Sequence, residues 1–180
     1  EPYTTKSIAS IVGQMMMDNK QSDIVKDNGL LPFEVFVLEP TRTICEKIMS
    51  LVRFSYGDNP IDDLKRKIRH TYDLHQLLKQ EEFLAFFQTS AFDEMLLKVA
   101  NDDVESFRNN NKWLIHHPTE AFIFRDLEKV WAELKASYNG EFKNLVYGKL
   151  PTDEAVLKTL SMIQERMKTI SWTIKIETKE

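Results

Sequence analysis

The chain has a single cysteine, Cys45, in 180 residues, so no intrachain disulfide can form, which fits a reducing compartment such as the cytoplasm. Five glycines and six prolines leave little room for long flexible linkers. No apolar run approaches the roughly 18 residues that would cross a bilayer, and the opening EPYTTKS has neither the basic nor the apolar region of a signal peptide. Gly-rich phosphate loops, G-x-S-x-G and H-E-x-x-H are all absent, which removes P-loop nucleotide hydrolysis, serine hydrolysis of that type and zincin proteolysis. Positive charge is also short. A net charge of -4 makes the protein as a whole repel nucleic acid, so binding there requires a local basic patch, and 65-KRKIRH-70 is the one candidate.

What is present is an ordinary globular composition, 42% hydrophobic and 29% charged, with a length sufficient for one buried core or two small ones. Ile8, Ile11, Val12, Met15 and Met16 recur at helical spacing and predict a helix over 6–18. The run 34-EVFVLE-39, ended by Pro40, predicts a strand over about 34–38. Ile44, Ile48, Leu51 and Val52 share one side of a helix from Thr41 to about Phe54, which GDNP (57–60) terminates. Asn59 as N-cap, Pro60 at N1 and Asp62 and Asp63 in the first turn open a further helix to about Lys79, with Ile61, Leu64, Ile68, Tyr72, His75 and Leu78 as its stripe. Helices are also expected at about 90–106, 119–136 and 152–170, while 81–88 and 141–148 do not resolve by period. The fold class is α+β and predominantly helical.

Chemistry has few candidate carriers. Lys47 borders the apolar stripe of the helix after Pro40, whereas Arg42, Glu46 and Arg53 fall on its far side, where Arg42 and Glu46 are spaced to pair. In the next helix Arg69 and Asp73 are also four apart. Lys65, Arg66 and Lys67 lie in its N-terminal half, where the macrodipole disfavours cations, and that placement points to a bound anion. His70 and His75, five apart, and the adjacent His116 and His117 lack metal-ligand spacing. Cys45 has no evident base and reads as packing. Asp62 with Asp63 and Asp102 with Asp103 read as capping and solvated pairs, and Phe107, Trp113 and Leu114 as the packing residues of a connection.

The segments 32-PFEVFVLEPTRTICEKIMSLVR-53 and 68-IRHTYDLHQLL-78 together resemble the nucleotidyltransferase toxins of the AbiEii/AbiGii type. The shared pieces are a strand, a P-x-R-T-x-x-E-K helix start, here Pro40, Arg42, Thr43, Glu46 and Lys47, and an R-H-x-Y-D-L helix, here Arg69, His70, Tyr72, Asp73 and Leu74. The resemblance implies a polymerase-β-like enzyme that moves a nucleotide from an NTP to a macromolecule, RNA, with Mg²⁺, and that is restrained by an antitoxin protein in the cytoplasm. It further implies Lys47 and Asp73 as catalytic residues, with Lys47, Arg69 and Arg42 on the NTP phosphates. The family's early Gly-Ser motif and paired metal-holding carboxylates do not occur in Glu1–Gln14. The chain, which begins with Glu1 rather than Met, is therefore expected to match the C-terminal part of the enzyme, a helical bundle with a small sheet remnant. On this expectation residues 1–79 form the second half of the transferase core and 80–180 a C-terminal helical domain.

Two other readings use the same residues. One is a non-catalytic helical module that binds an antitoxin-like protein or RNA through 65-KRKIRH-70; the other treats the charges as a solvated face. The transferase reading expects the 180-residue chain alone to transfer no nucleotide, because Lys47 and Asp73 cannot by themselves hold two metal ions. Incorporation of labelled NTP into RNA by this chain would contradict it.

Overall fold

The computed structural model describes residues 3–108 and 110–176; Glu1, and Asn109 within the 107–117 connection, lie outside the described residues. The chain divides into two compact units, Glu1–Glu39 and Pro40–Glu180. The expected boundary at residue 79 lies between two helices inside the second unit, whose hydrophobic core runs from Ile44 to Ile174.

In the first unit, β1 (Tyr3–Ile8) pairs antiparallel with β2 (Phe33–Leu38), in register from Tyr3 opposite Leu38 to Ile8 opposite Phe33. Between them lie α1 (Ile11–Asp18) and α2 (Ser22–Asp27). The helix expected over 6–18 is thus corrected at its start. Lys6, Ser7 and Ile8 are drawn into a six-residue ladder whose partner is nearly thirty residues away, beyond the reach of any local period. The true start is Ser10, an extended N-cap whose Oγ accepts from the Gly13 N–H at 2.9 Å. Gly13 is buried because the chain crosses it closely: a Cβ there would fall 2.5 Å from the Leu30 carbonyl oxygen.

The second unit is built around α3 (Pro40–Phe54), whose Ile44, Cys45, Ile48 and Leu51 are fully buried. It packs against α5 (Ile68–Leu78) and α7 (Ser90–Ser106), with α4 (Pro60–Arg66), α6 (Glu81–Phe87) and α8 (Phe122–Arg125) at its margins. α9 (Leu127–Asn139) and α10 (Asp153–Met167) close the other side, α10 lying on α5. The ambiguous segment 81–88 is helical, and 141–148 contains a 3₁₀ turn, Phe142–Leu145. Beyond α10, Ile170 and Ile174 are buried, and the Trp172 Nε1–H donates to the Leu114 carbonyl at 2.7 Å. Trp113 and Leu114 are buried and Phe107 packs on the core, as expected of that connection.

Two expected helices are each broken. The helix expected from Pro60 to Lys79 stops at Lys67 (φ -104°, ψ 11°), which ends α4 and precedes α5. Both pieces pack on α3 and α9, α4 burying Leu64 and α5 burying Ile68, Thr71, Leu74 and Leu78, and α5 lies in addition against α10. Asn59 precedes Pro60 as expected but makes no side-chain cap. The helix expected over 119–136 is interrupted at Asp126 (φ -127°, ψ 51°), between α8 and α9.

Gly13 allows a test in which two effects compete. In an open helix Gly→Ala stabilises by about 1 kcal/mol through propensity. Here the close approach of Leu30 dominates, so Gly13→Ala should destabilise the first unit, read as faster amide exchange across Ile11–Asp18. Slower exchange would mean that the propensity term wins.

Candidate functional site

The two helices that carry the sequence motifs meet at one ion pair. Lys47 Nζ of α3 lies 2.6 Å from Asp73 Oδ2 of α5, with side chains 18% and 34% exposed. Lys47 occupies the border of the apolar stripe, between fully buried Ile44 and Leu51, as its spacing predicts. At that depth the ammonium requires a partner, because an unpaired half-buried charge loses hydration without compensation. Asp73 stands next to fully buried Leu74, on the flank of α5.

His70, one turn before Asp73, lies within the same field. Burial pushes its pKa down to about 4, helped by the charges of Lys47, Arg69 and Lys67 and opposed by Asp73. Its ring is neutral at physiological pH, and its Nδ1 is buried without a hydrogen-bond partner among the described residues. Arg69 is exposed and makes no hydrogen bond or ion pair among the described residues.

Beside Asp73 opens a cleft of about 750 Å³. Lys65, Arg66 and Arg69 line one wall; Phe142, Leu145 and Tyr147 of the segment after α9 line the other. Tyr72 and Phe142 meet edge to face at 5.5 Å between centroids, and Phe142 stacks on Tyr138 at 5.7 Å. The break at Lys67 changes the electrostatic reading of this wall. Lys65 and Arg66 occupy the last turn of α4, where the helix dipole favours cations, so the expected argument from misplaced cations does not hold for them; of that run only Lys67, the N-cap of α5, stands at a helix start.

Arg42 and its neighbours are placed differently from the solvated far side that spacing predicts. α7 covers that side, leaving Arg42 with 8% of its side chain exposed. Its Nε donates to Glu46 Oε1 at 2.8 Å and its Nη1 lies 2.9 Å from Asp102 Oδ2. Arg53 lies over the rings of Phe107 and Phe54, at 4.0 and 5.0 Å. Asp102 and Asp103 are therefore packed against α3 and not a solvated pair. Burial pushes the Asp103 carboxyl up to about 6; Arg53 opposes that shift and Glu46 and Asp102 add to it. The sequence holds a trace of this arrangement. Phe92, Leu96 and Val99 are the buried stripe of α7, and Asp103 continues their spacing. Of the cleft residues, Tyr72 belongs to the predicted stripe, whereas Phe142, Leu145 and Tyr147 carry no such trace.

Cys45 is fully buried beside Ile44, and burial pushes its thiol far above the ordinary range, so it packs and does not react. Among the described residues no three His, Cys, Asp or Glu side chains converge, and the one carboxylate at the motif junction is engaged by Lys47. These residues do not fit a Mg²⁺ site by themselves.

A family profile described as "Nucleotidyl transferase AbiEii toxin, Type IV TA system" matches residues 1–159, a span that includes Lys47, Asp73 and both walls of the cleft. The chain belongs to the AbiEii nucleotidyl transferase toxin family. No curated protein and no solved structure matches it. Enzymes of this family generally use a divalent metal, and a toxin of a toxin–antitoxin pair implies an antitoxin partner and a nucleotide substrate. Among the described residues no helix is long and apolar enough to cross a membrane.

The Asp103 carboxyl gives a pH-dependent test. Its folded pKa lies above the unfolded value near 3.8, so the stability it contributes is present below that value and is lost as pH rises through about 6. Asp103→Asn removes this loss. It should raise stability by roughly 1 kcal/mol at neutral pH, after solvent screening of a partly exposed group, and by nothing below pH 4. Thermal unfolding at both pH values checks this, and an equal gain at both would reject the assignment.

Proposed function

We propose that the Lys47–Asp73 junction is the phosphate-facing part of a nucleotidyltransferase site that moves a nucleotide from an NTP to RNA. The single observation that supports this reading is the ion pair itself, which joins the two sequence motifs of the family across 26 residues in a half-buried setting.

In this reading the ammonium of Lys47, held by Asp73, also meets the triphosphate. With three N–H donors it can keep Asp73 while meeting a phosphate oxygen. Asp73 fixes the position of the Lys47 head group, so the cation is already in place when negative charge develops on the transferring phosphoryl group. Arg69, exposed at the cleft wall, supplies a second contact to phosphate. Arg42, the third expected contact, would have to leave Glu46 and Asp102 to reach one. The acceptor hydroxyl attacks the α-phosphorus in line; a new P–O bond forms, the bond to the bridging oxygen breaks, and pyrophosphate departs. Divalent metal supplies charge neutralisation in such enzymes, and its carboxylate ligands are not among the described residues. Residues 1–79 act here as the second half of the catalytic core and 80–180 as the helical part that recognises substrate or antitoxin. The cytoplasm is the compartment that fits such a toxin.

A charge-assisted contact of this kind contributes about 1.5 to 3 kcal/mol. Lys47→Ala should therefore weaken binding of a non-hydrolysable NTP by at least about tenfold, read by titration calorimetry, and abolish transfer in the protein as it occurs in the cell. Unchanged affinity and activity, with an unaltered circular dichroism spectrum, would reject the role. Charge reversal at Lys65, Arg66 and Arg69 that weakened only antitoxin binding would favour the non-catalytic module.

A further inference from the structure

We propose that the cleft between α5 and the 137–147 segment binds a single-stranded segment of nucleic acid, with phosphates along Lys65, Arg66 and Arg69 and a base stacked on Tyr147. The inference rests on the transferase reading and assigns its acceptor a place beside the Lys47–Asp73 pair.

Charge is the first argument. The protein carries a net charge of -4, yet three cations line this cleft against two carboxylates, of which Asp73 is neutralised by Lys47. Arg69 makes no ion pair among the described residues, and the contacts of Lys65 with Asp62 at 3.5 Å and of Arg66 with Asp63 at 3.4 Å are long and open to water on at least one side, worth little there. These cations are therefore available to an anion. Lys67, in the same basic run, is not, because its ammonium lies 4.5 Å above the Phe54 ring and it does not line the cleft.

The aromatic wall is the second argument. Tyr147 is fully exposed and Leu145 is 81% exposed, on a segment that Phe142, stacked on Tyr138 and edge to face with Tyr72, anchors to the core. A row of cations opposite an open ring is the pattern of a single-strand track, where the ring accepts any base face and the cations follow the backbone. A duplex keeps its base faces stacked within itself and cannot use Tyr147 in this way. An acidic protein would use the cations without the ring.

Fluorescence anisotropy of a labelled single-stranded RNA of about a dozen nucleotides, with the full chain and without NTP, tests this. Tyr147→Ala should weaken binding about tenfold and Tyr147→Phe should restore it. Combined Lys65→Gln, Arg66→Gln and Arg69→Gln should remove about 2 from the slope of log affinity against log salt, while Lys67→Gln leaves the slope nearly unchanged. Because Tyr147 is fully exposed, its variants should keep the wild-type unfolding transition. The inference is overturned if Tyr147→Ala binds as wild type, if Lys67→Gln matches Arg66→Gln, or if a polyglutamate peptide binds as tightly as RNA, which would make the cleft a dock for an acidic protein. Loss of the Lys47→Ala effect on NTP, with RNA binding intact, would remove the transferase reading and leave the cleft as a nucleic-acid site.

Discussion

Helix α3 is buried on more sides than its apolar stripe can account for, and the second unit depends on how its charges are paired. Two of them leave the surface. Lys47 meets Asp73 of α5 on one flank, and Arg42 meets Glu46 and Asp102 on the other. Each pair replaces the water that burial removes, so α5 and α7 can close on α3 without stranding a charge. Deleting Asp73 would leave Lys47 half-buried without the partner described for it, whereas Arg42 would keep one carboxylate if either Glu46 or Asp102 were removed. The same requirement that packs the helix thereby holds a cation at a fixed point.

The two pairs differ in what they face. Arg42 is turned inward among carboxylates and contributes to the joint between α3 and α7. Lys47 sits next to a residue that lines an open cleft, where a second anion can approach it. Similar ion pairs on one helix thus support different roles, one structural and one poised for ligand, and the difference lies in the neighbouring space.

The motif helices, the strand at Phe33–Leu38 and the stripe of α3 were legible because each is a local pattern with a definite period. Lys47 was legible for the same reason, since its place beside Ile44 and Leu51 sets its depth. β1 was not, because Lys6–Ile8 take strand geometry only through β2. Nor was the break at Lys67, where the apolar residues continue a helical period across the point at which α4 ends and α5 begins.

The sequence by itself determined the helical class and the depth of Lys47, which are written in spacing along one chain, and the family, which is written in the identities of its motif residues. Only the tertiary structure decided that Lys47 meets Asp73, that Arg42 is covered by α7, and that Lys65, Arg66 and Arg69 face Tyr147 across a cleft. These are contacts between residues 26 to more than 70 positions apart. No local period encodes them, and they arise when burial brings separate helix faces together and every charge caught between them must find a partner.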